Sequence, residues 1–536
     1  MEPQDIQITR RGVLGLGLAA LGTYTASQLP FSSVYARGES SHSPVKPIPR
    51  TEKYMLAASE EGAAAYSKAI DALKERHRRA ELLIFRGKEI EEIEREVMAE
   101  NPTHVQVICT PEEASIPQYT GSLDPDRRTL DAERALADGT LQVRLGKMLN
   151  RLGGGYRGAI AGVLTAYTPE DALRIAETGD FQVDNPLMVS PYEEIFNAYQ
   201  NAAAYCGSER QNKAGGIVTR KRVDMVAVDI LESLNRNDVG MFAIAGHGGS
   251  TGWVPMFISR ERQSSAFVPS GREAYMADIN EWEGDKCVVN LDKPIAKLLK
   301  SSNTKVFWGA ATCRVGSISD KERSLLLGLL GSGGFTQAFG YETVNSYRDL
   351  DMAFVAEYML NFPESSWFEA HRRAQIGLQF TLKRLREVRE ARGLPKTRSY
   401  HEIGHEDLAN VFVGWGDCGT RATNLLDRSF VSTYTTSVEP RIEKGKRVVR
   451  VAVVANKDAR VGDECMIGHP IVVDLKEDVN GYRISSASPS LDCEKGKDFV
   501  VLHPGREIIE NSGGEIGFRY NNIHRGDRWF IELSSP

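Results

Sequence analysis

The sequence predicts an α/β protein with a parallel-sheet core, followed by a small all-β domain, and three observations lead there. Strand-like runs alternate with helix signals through the first two thirds of the chain, the pattern of a parallel sheet wrapped by helices. Two of these runs, residues 239–246 and 305–311, are apolar without strict alternation, as central strands are when both faces are covered. After Thr433 helical periodicity stops, and short strand-like runs separated by Gly, Asn and Asp take over.

The elements follow in order. Residues 57–99 read as helical, from the spacing of Ala63, Ala64, Tyr66, Ile70 and Leu73 and then Ile90, Ile93 and Val97. Asn101-Pro102 stops that pattern. Residues 104–109 form a short β-rich run that enters a turn and helix start at Thr110-Pro111. Residues 159–166 repeat the arrangement, with Thr168 as N-cap and Pro169 at the first helical position. Residues 325–330 are a helical apolar block closed by Gly331-Ser332-Gly333-Gly334, and residues 335–341 are the next strand. Residues 448–454, 471–475, 499–502 and 528–533 supply the strands of the last domain.

Bulk composition limits the functional classes. A chain of 536 residues exceeds one ordinary domain, and 41% hydrophobic with 26% charged residues is a soluble balance. The formal charge of −6 is small for this length and implies no polyanion partner. Lys383, Arg384, Arg386, Arg389 and Arg392 alternate with acids and read as one solvated helix face, not a nucleic-acid patch.

The first segment reads as an export signal. Arg10-Arg11 precede a short, Gly-rich apolar stretch, the pattern of a twin-arginine signal, and Val34-Tyr35-Ala36 offers a small-x-small cleavage site. The stretch is shorter than the ~20 residues a membrane helix needs, so no stable membrane span is expected once the signal is removed. The expected location is periplasmic or extracellular. Of the seven cysteines, Cys465 and Cys493 share the last domain and could bridge there.

The chemistry concentrates at two strand ends. Cys313 sits just past the run ending at Ala311, and His247 follows the run ending at Gly246. Sites of open parallel sheets gather at the carboxyl ends of strands. A thiolate nucleophile needs a group that shuttles its proton, and imidazole titrates in the right range. The tetrahedral intermediate also needs backbone N–H donors, for which Gly248 and Cys313 are the candidates.

These residues carry a family resemblance. Gly246-His247-Gly248 with Trp253, and Ala311-Thr312-Cys313 with Gly316, Ser324-Leu325 and Gly333-Gly334, resemble the catalytic segments of gingipain-type cysteine peptidases of the caspase-like fold. Glu369-Ala370 with Ala374 resembles their next helix, and Phe412-Val413-Gly414-Trp415-Gly416-Asp417 the ending of their catalytic domain, with Cys418 where they have Pro. The resemblance spans roughly residues 100–425 and implies a caspase/gingipain-like core in two subdomains followed by an immunoglobulin-like sandwich. The expected division is a signal at 1–36, a linker and helical segment at 37–100, a non-catalytic α/β subdomain at 101–185, a catalytic one at 186–430 and the β-sandwich at 431–536. The implied activity is endopeptidase cleavage of protein or peptide substrates through a Cys–His dyad and a thioester. No cofactor is required, and a structural calcium ion is compatible with some relatives. The long His–Cys interval calls for an insertion around residues 258–285 that loops out. Asp184, Glu193 and Glu194 precede the His and are candidates for a third, orienting residue.

Two other readings compete. His401-Glu402-Ile403-Gly404-His405 matches the zinc-protease pattern H-E-x-x-H, but Gly404 weakens the helix it requires and Pro395 lies close upstream. A non-catalytic exported protein that keeps the caspase-like fold as an interaction scaffold is the second.

Overall fold

The computed structural model describes residues 4–7, 52–86, 89–116, 139–151, 159–183, 187–189, 203–204, 231–232, 234–235, 239–244, 246–249, 252–255, 265–283, 286–289, 297–300, 302–309, 312, 314–332, 334–342, 355, 358, 362, 365–393, 412–424, 434–456, 458, 470–475, 477–489, 491–504, 506–510, 516–520 and 523–536.

The N-terminal region of the sheet begins on a strand, not a helix. Tyr54–Ser59 (β1) is followed by the helices Glu60–Ala65 and Ser67–Arg76 (α1), then Glu81–Phe85 (β2) and the helix Ile90–Glu100. The expectation of a helical segment over 57–99, set apart from the sheet, is therefore corrected. The helical spacing of Tyr66, Ile70 and Leu73 is real, but Tyr54–Ser59 is buried at all six positions. A fully covered strand shows the same unbroken apolar run as a buried helix, and periodicity cannot separate them.

His104–Ile108 (β3) and Ile160–Leu164 (β4) match their sequence assignments, as do the helix starts after them. Thr110 makes a capping box with Glu113, and Thr168 caps Pro169–Glu177 (α2) by accepting from the Asp171 amide. Leu187–Val189 (β5), Ala203–Ala204 (β6), Met241–Ile244 (β7), Val306–Gly309 (β13), Gln337–Tyr341 (β14) and Phe412–Gly416 (β15) complete a ten-stranded sheet. Its order is β2-β1-β3-β4-β15-β14-β13-β7-β5-β6. Strands β14, β13, β7, β5 and β6 run parallel to one another, whereas β15 runs antiparallel to β14.

Between β7 and β13 lies a second, antiparallel sheet. Gly246–Gly249 (β8), Gly252–Pro255 (β9), Ser265–Ser270 (β10), Glu273–Glu283 (β11) and Lys286–Val289 (β12) pair in succession. Gln4–Gln7, within the segment expected to be a signal, pairs antiparallel with β12. The expected looped-out insertion is thus largely β-sheet. Its β10–β11 connection is a two-residue turn at Gly271-Arg272, with Gly271 at φ +58. Arg272 grips the buried carboxylate of Asp171 on α2 with Nε at 2.8 Å and Nη2 at 2.6 Å. Such a two-point guanidinium–carboxylate contact fixes orientation as well as distance.

Helix Trp367–Ala391 (α3) packs on the central sheet, started by Ser366, whose hydroxyl accepts from the Glu369 amide. Trp367 meets Trp308 edge-on at 4.8 Å, and Phe368 meets Phe339 at 4.8 Å. Each such aromatic pair adds about 0.5–1.5 kcal/mol beyond its buried area. The cationic face near its C-terminal end is only partly solvated, which corrects the sequence reading. Lys383 pairs with Glu494 at 2.8 Å, Arg384 with Asp492 at 2.9 Å, and Arg389 is buried.

Those acids belong to a C-terminal region of antiparallel β-structure. Tyr434–Glu443, Lys446–Ala455, Arg528–Ser534 and Arg483–Ala487 form one sheet, and Ile471–Asp474, Phe499–Pro504 and Leu491–Lys495 another. Fully buried Arg373 of α3 reaches Asp474 at 3.4 Å and Asp498 at 3.8 Å, joining this region to the helix. Cys493 carries a free thiol, and Cys465 lies outside the described residues.

Candidate active site

The two strands expected to carry the chemistry are neighbours. Val306 stands opposite Met241, Phe307 opposite Phe242 and Trp308 opposite Ala243, in parallel register. Their carboxyl ends, Ile244 and Gly309, therefore share one rim of the sheet. All eight residues of the two strands are buried, which is why neither run alternates.

After Ile244 the chain leaves the central sheet and enters β8, which contains His247 and Gly248. The His247 backbone lies opposite Val254, and buried Gly248 lies opposite Trp253. The His-Gly and Trp segments, separate signals in the sequence, are thus the two arms of one hairpin.

On the other strand, Cys313 lies outside the described residues, while the residues on either side of it are described. Thr312 is fully buried, and its hydroxyl donates to the carbonyl oxygen of Ile244 at 3.3 Å. This bond ties the residue before Cys313 to the end of the strand that leads to His247. Arg314, directly after Cys313, has φ +55, a left-handed conformation few non-glycine residues adopt. Its carbonyl accepts from the Ser317 amide at 3.0 Å and the Ser317 hydroxyl at 2.8 Å, closing a tight turn. The Gly316 amide then donates to the carbonyl of Tyr341, at the carboxyl end of β14, at 2.9 Å. A Cβ on Gly316 would lie 2.5 Å from the carbonyl carbon of Gly340, so only glycine fits there. The segment around Cys313 is fastened to two strand ends of the same sheet.

The same segment contacts the first half of the sheet. The Ile116 amide, downstream of β3, donates to the Ile318 carbonyl at 2.8 Å, and Tyr167, downstream of β4, donates to Glu322 at 2.6 Å. Segments beyond the carboxyl ends of β3 and β4 therefore contact Ile318 and Glu322. The left-handed turn at Arg314 and the Thr312 bond have no local sequence signature. The Arg-x-Gly spacing after Cys313, with a glycine forced by close approach, is the nearest hint.

The remaining candidates fall elsewhere. Asp184, Glu193, Glu194 and the whole of residues 401–405 lie outside the described residues. Among the described residues, no group of three or more His, Cys, Asp or Glu side chains could hold a metal ion. Gly416-Asp417-Cys418 lands at the end of β15, near the amino ends of β1, β3 and β4. There Asp417 accepts from the Tyr54 hydroxyl at 2.5 Å and lies 2.8 Å from His77 Nε2. Cys418 is a free thiol whose pKa burial raises well above its usual range. Its sulfur is accordingly an inert packing atom.

No family model and no curated protein matches this chain. Among solved structures, a chain named "Structure of Protease" is similar in shape, with 9% sequence identity and a TM-score of 0.39. The alignment covers 88% of this chain and 97% of that one.

Proposed function

We propose that this protein is a cysteine-type endopeptidase of the gingipain kind, with Cys313 as nucleophile and His247 as its proton-transfer partner. The observation that carries the reading is the Thr312–Ile244 hydrogen bond between the ends of adjacent parallel strands. The bond holds Thr312, the residue before Cys313, against the end of the strand that feeds His247. The strained left-handed residue directly after Cys313 supports it, because such backbone conformations cluster where a reactive group must be aimed.

In the proposed reaction the Cys313 thiolate attacks the carbonyl carbon of a peptide bond. The developing oxyanion is held by the amides of Gly248 and Cys313. His247 delivers a proton to the leaving amine, and the C–N bond breaks to leave a thioester. His247 then takes a proton from water as it attacks, releasing the acid and regenerating the thiolate. No cofactor enters these steps. Substrates are proteins or peptides in the periplasm or outside the cell, reached through the twin-arginine route. The C-terminal antiparallel sheets take the place of the immunoglobulin-like sandwich of gingipain-type enzymes.

Cleavage of a mixed-sequence peptide library by the parent and by Cys313→Ala and His247→Ala variants tests the assignment. Loss of cleavage in both, with iodoacetamide inhibiting the parent and a zinc chelator leaving it active, is the expected result. Undiminished digestion by Cys313→Ala would sink it. Inhibition by the chelator would favour the zinc reading at His401 and His405, and no cleavage by the folded parent the scaffold reading.

A further inference from the structure

A cavity of about 700 Å³ opens at the amino ends of β1, β3 and β4, where Tyr54, His104 and Ile160 begin their strands. It lies away from the segment around Cys313, which contacts residues beyond the carboxyl ends of β3 and β4. The start of α3 (Ser366 and Glu369) and Asp474 of the C-terminal region also line it. Volume and position, at a junction of structural units, suit a small-molecule site.

The charges of its lining decide the ligand class. Its acids are largely committed: Glu52 pairs with Arg421 at 2.6 Å, Asp474 with Arg373 at 3.4 Å, and Glu369 takes the Tyr358 hydroxyl at 3.4 Å. Beneath it, Asp417 is matched by Arg76 at 3.2 Å and His77 at 2.8 Å. Its cations are not all committed. Arg78 and Arg79, exposed and adjacent, make no ion pair with any described residue, and Arg79 turns the chain with φ +73. His77 stacks on Tyr54 at 4.0 Å and spends Nε2 on Asp417, leaving Nδ1 without a partner among the described residues. Among the described residues, the cavity's groups without a charged or hydrogen-bonding partner thus include the Arg78 and Arg79 guanidiniums and His77 Nδ1.

We infer that this cavity binds a small organic anion through a carboxylate or phosphate group held by Arg78 and Arg79. Two arginines on consecutive residues lining one cavity offer the forked donors that planar carboxylates and phosphates accept. The site is independent of the Cys313 chemistry and needs no peptidase activity to be examined.

Isothermal titration of the full chain with inorganic phosphate and with succinate, at constant ionic strength, tests it. Saturable binding of at least one probe is expected, weakened at least tenfold in an R78A/R79A variant. Because both side chains are exposed, the ligand-free melting temperature of that variant should match the parent. The preferred probe identifies the group as phosphate or carboxylate. Absence of saturable binding of either probe to the parent, or equally tight binding by the folded variant, would overturn the inference.

Discussion

Thr312 gives its hydroxyl proton to the main-chain oxygen of Ile244, and this bond spans the gap between the two strands whose ends lead to Cys313 and His247. Both residues are buried, so water does not take the place of either partner when the bond is lost.

The first prediction follows from that burial. Thr312→Val keeps the side-chain shape but removes the donor, leaving the Ile244 carbonyl with one partner fewer. Stability should drop by about 1 kcal/mol, the usual net value of such a bond. If the proposed peptidase assignment holds, turnover should fall more than KM rises, because the bond aligns the two segments proposed to carry Cys313 and His247 and does not hold substrate. Thr312→Ser should restore both. Denaturant unfolding and steady-state kinetics on the three proteins check this; a Val variant with parental turnover removes the bond from the mechanism.

Arg314 provides a second test. Its left-handed backbone at φ +55 costs an L-residue roughly 1–2 kcal/mol, which glycine does not incur. Arg314→Gly should therefore keep the rate of Cys313 alkylation by iodoacetamide near the parental value. Arg314→Val, β-branched and hostile to positive φ, should slow both alkylation and peptide cleavage severalfold. Equal behaviour of the two variants would mean that the turn does not aim the sulfur.

Much of this is legible in the sequence, and the failures have physical causes. Residues 239–246 and 305–311 are readable as central strands because burial on both faces leaves an unbroken apolar run. The same signal misleads at Tyr54–Ser59, where Ala57 and Ala58 beside a genuine helical period draw the expected helix across a strand. The caps at Thr110 and Thr168 are legible because N-cap chemistry is local. The cationic stretch 383–392 looks solvated because its partners, Glu494 and Asp492, lie about a hundred residues away and leave no local trace. The Thr312–Ile244 bond is hidden for the same reason. His247 and Cys313 stand out as residue types at strand ends, but what fastens their segments together is tertiary.

Arg373 predicts how the C-terminal region is held. Burial alone would lower the pKa of its guanidinium, but the nearby carboxylates of Asp498 and Asp474 outweigh burial and raise it. Removing one member of a buried ionic group strands the others, which typically costs about 3–5 kcal/mol. Arg373→Ala should thus release the C-terminal region, seen as faster limited proteolysis between α3 and that region. The triple variant R373M/D474N/D498N, in which no charge is left unmatched, should recover much of the loss. An Arg373→Ala protein as protease-resistant as the parent would show that apolar contacts alone hold the junction.

Asp417 makes the pH dependence of stability predictable. Burial alone would raise its pKa, but the hydrogen bond and charge of His77, the Tyr54 hydroxyl and Arg76 outweigh burial and bring it down to about 2 from the usual 3.8. A carboxylate whose folded pKa lies below its unfolded value stabilises the fold above the unfolded value. That contribution is lost as pH falls through the folded one, because the unfolded chain takes up the proton first. The shift corresponds to about 2 kcal/mol, present at about pH 6 and fading between roughly pH 5 and 2. Other carboxylates titrate in the same window, so the informative quantity is a difference. The stability gap between the parent and Asp417→Asn, measured by urea unfolding at about pH 6, 4 and 3, should narrow steadily with acid. A gap independent of pH would mean that Tyr54, His77 and Arg76 are gathered around position 417 by packing, with no need for its charge.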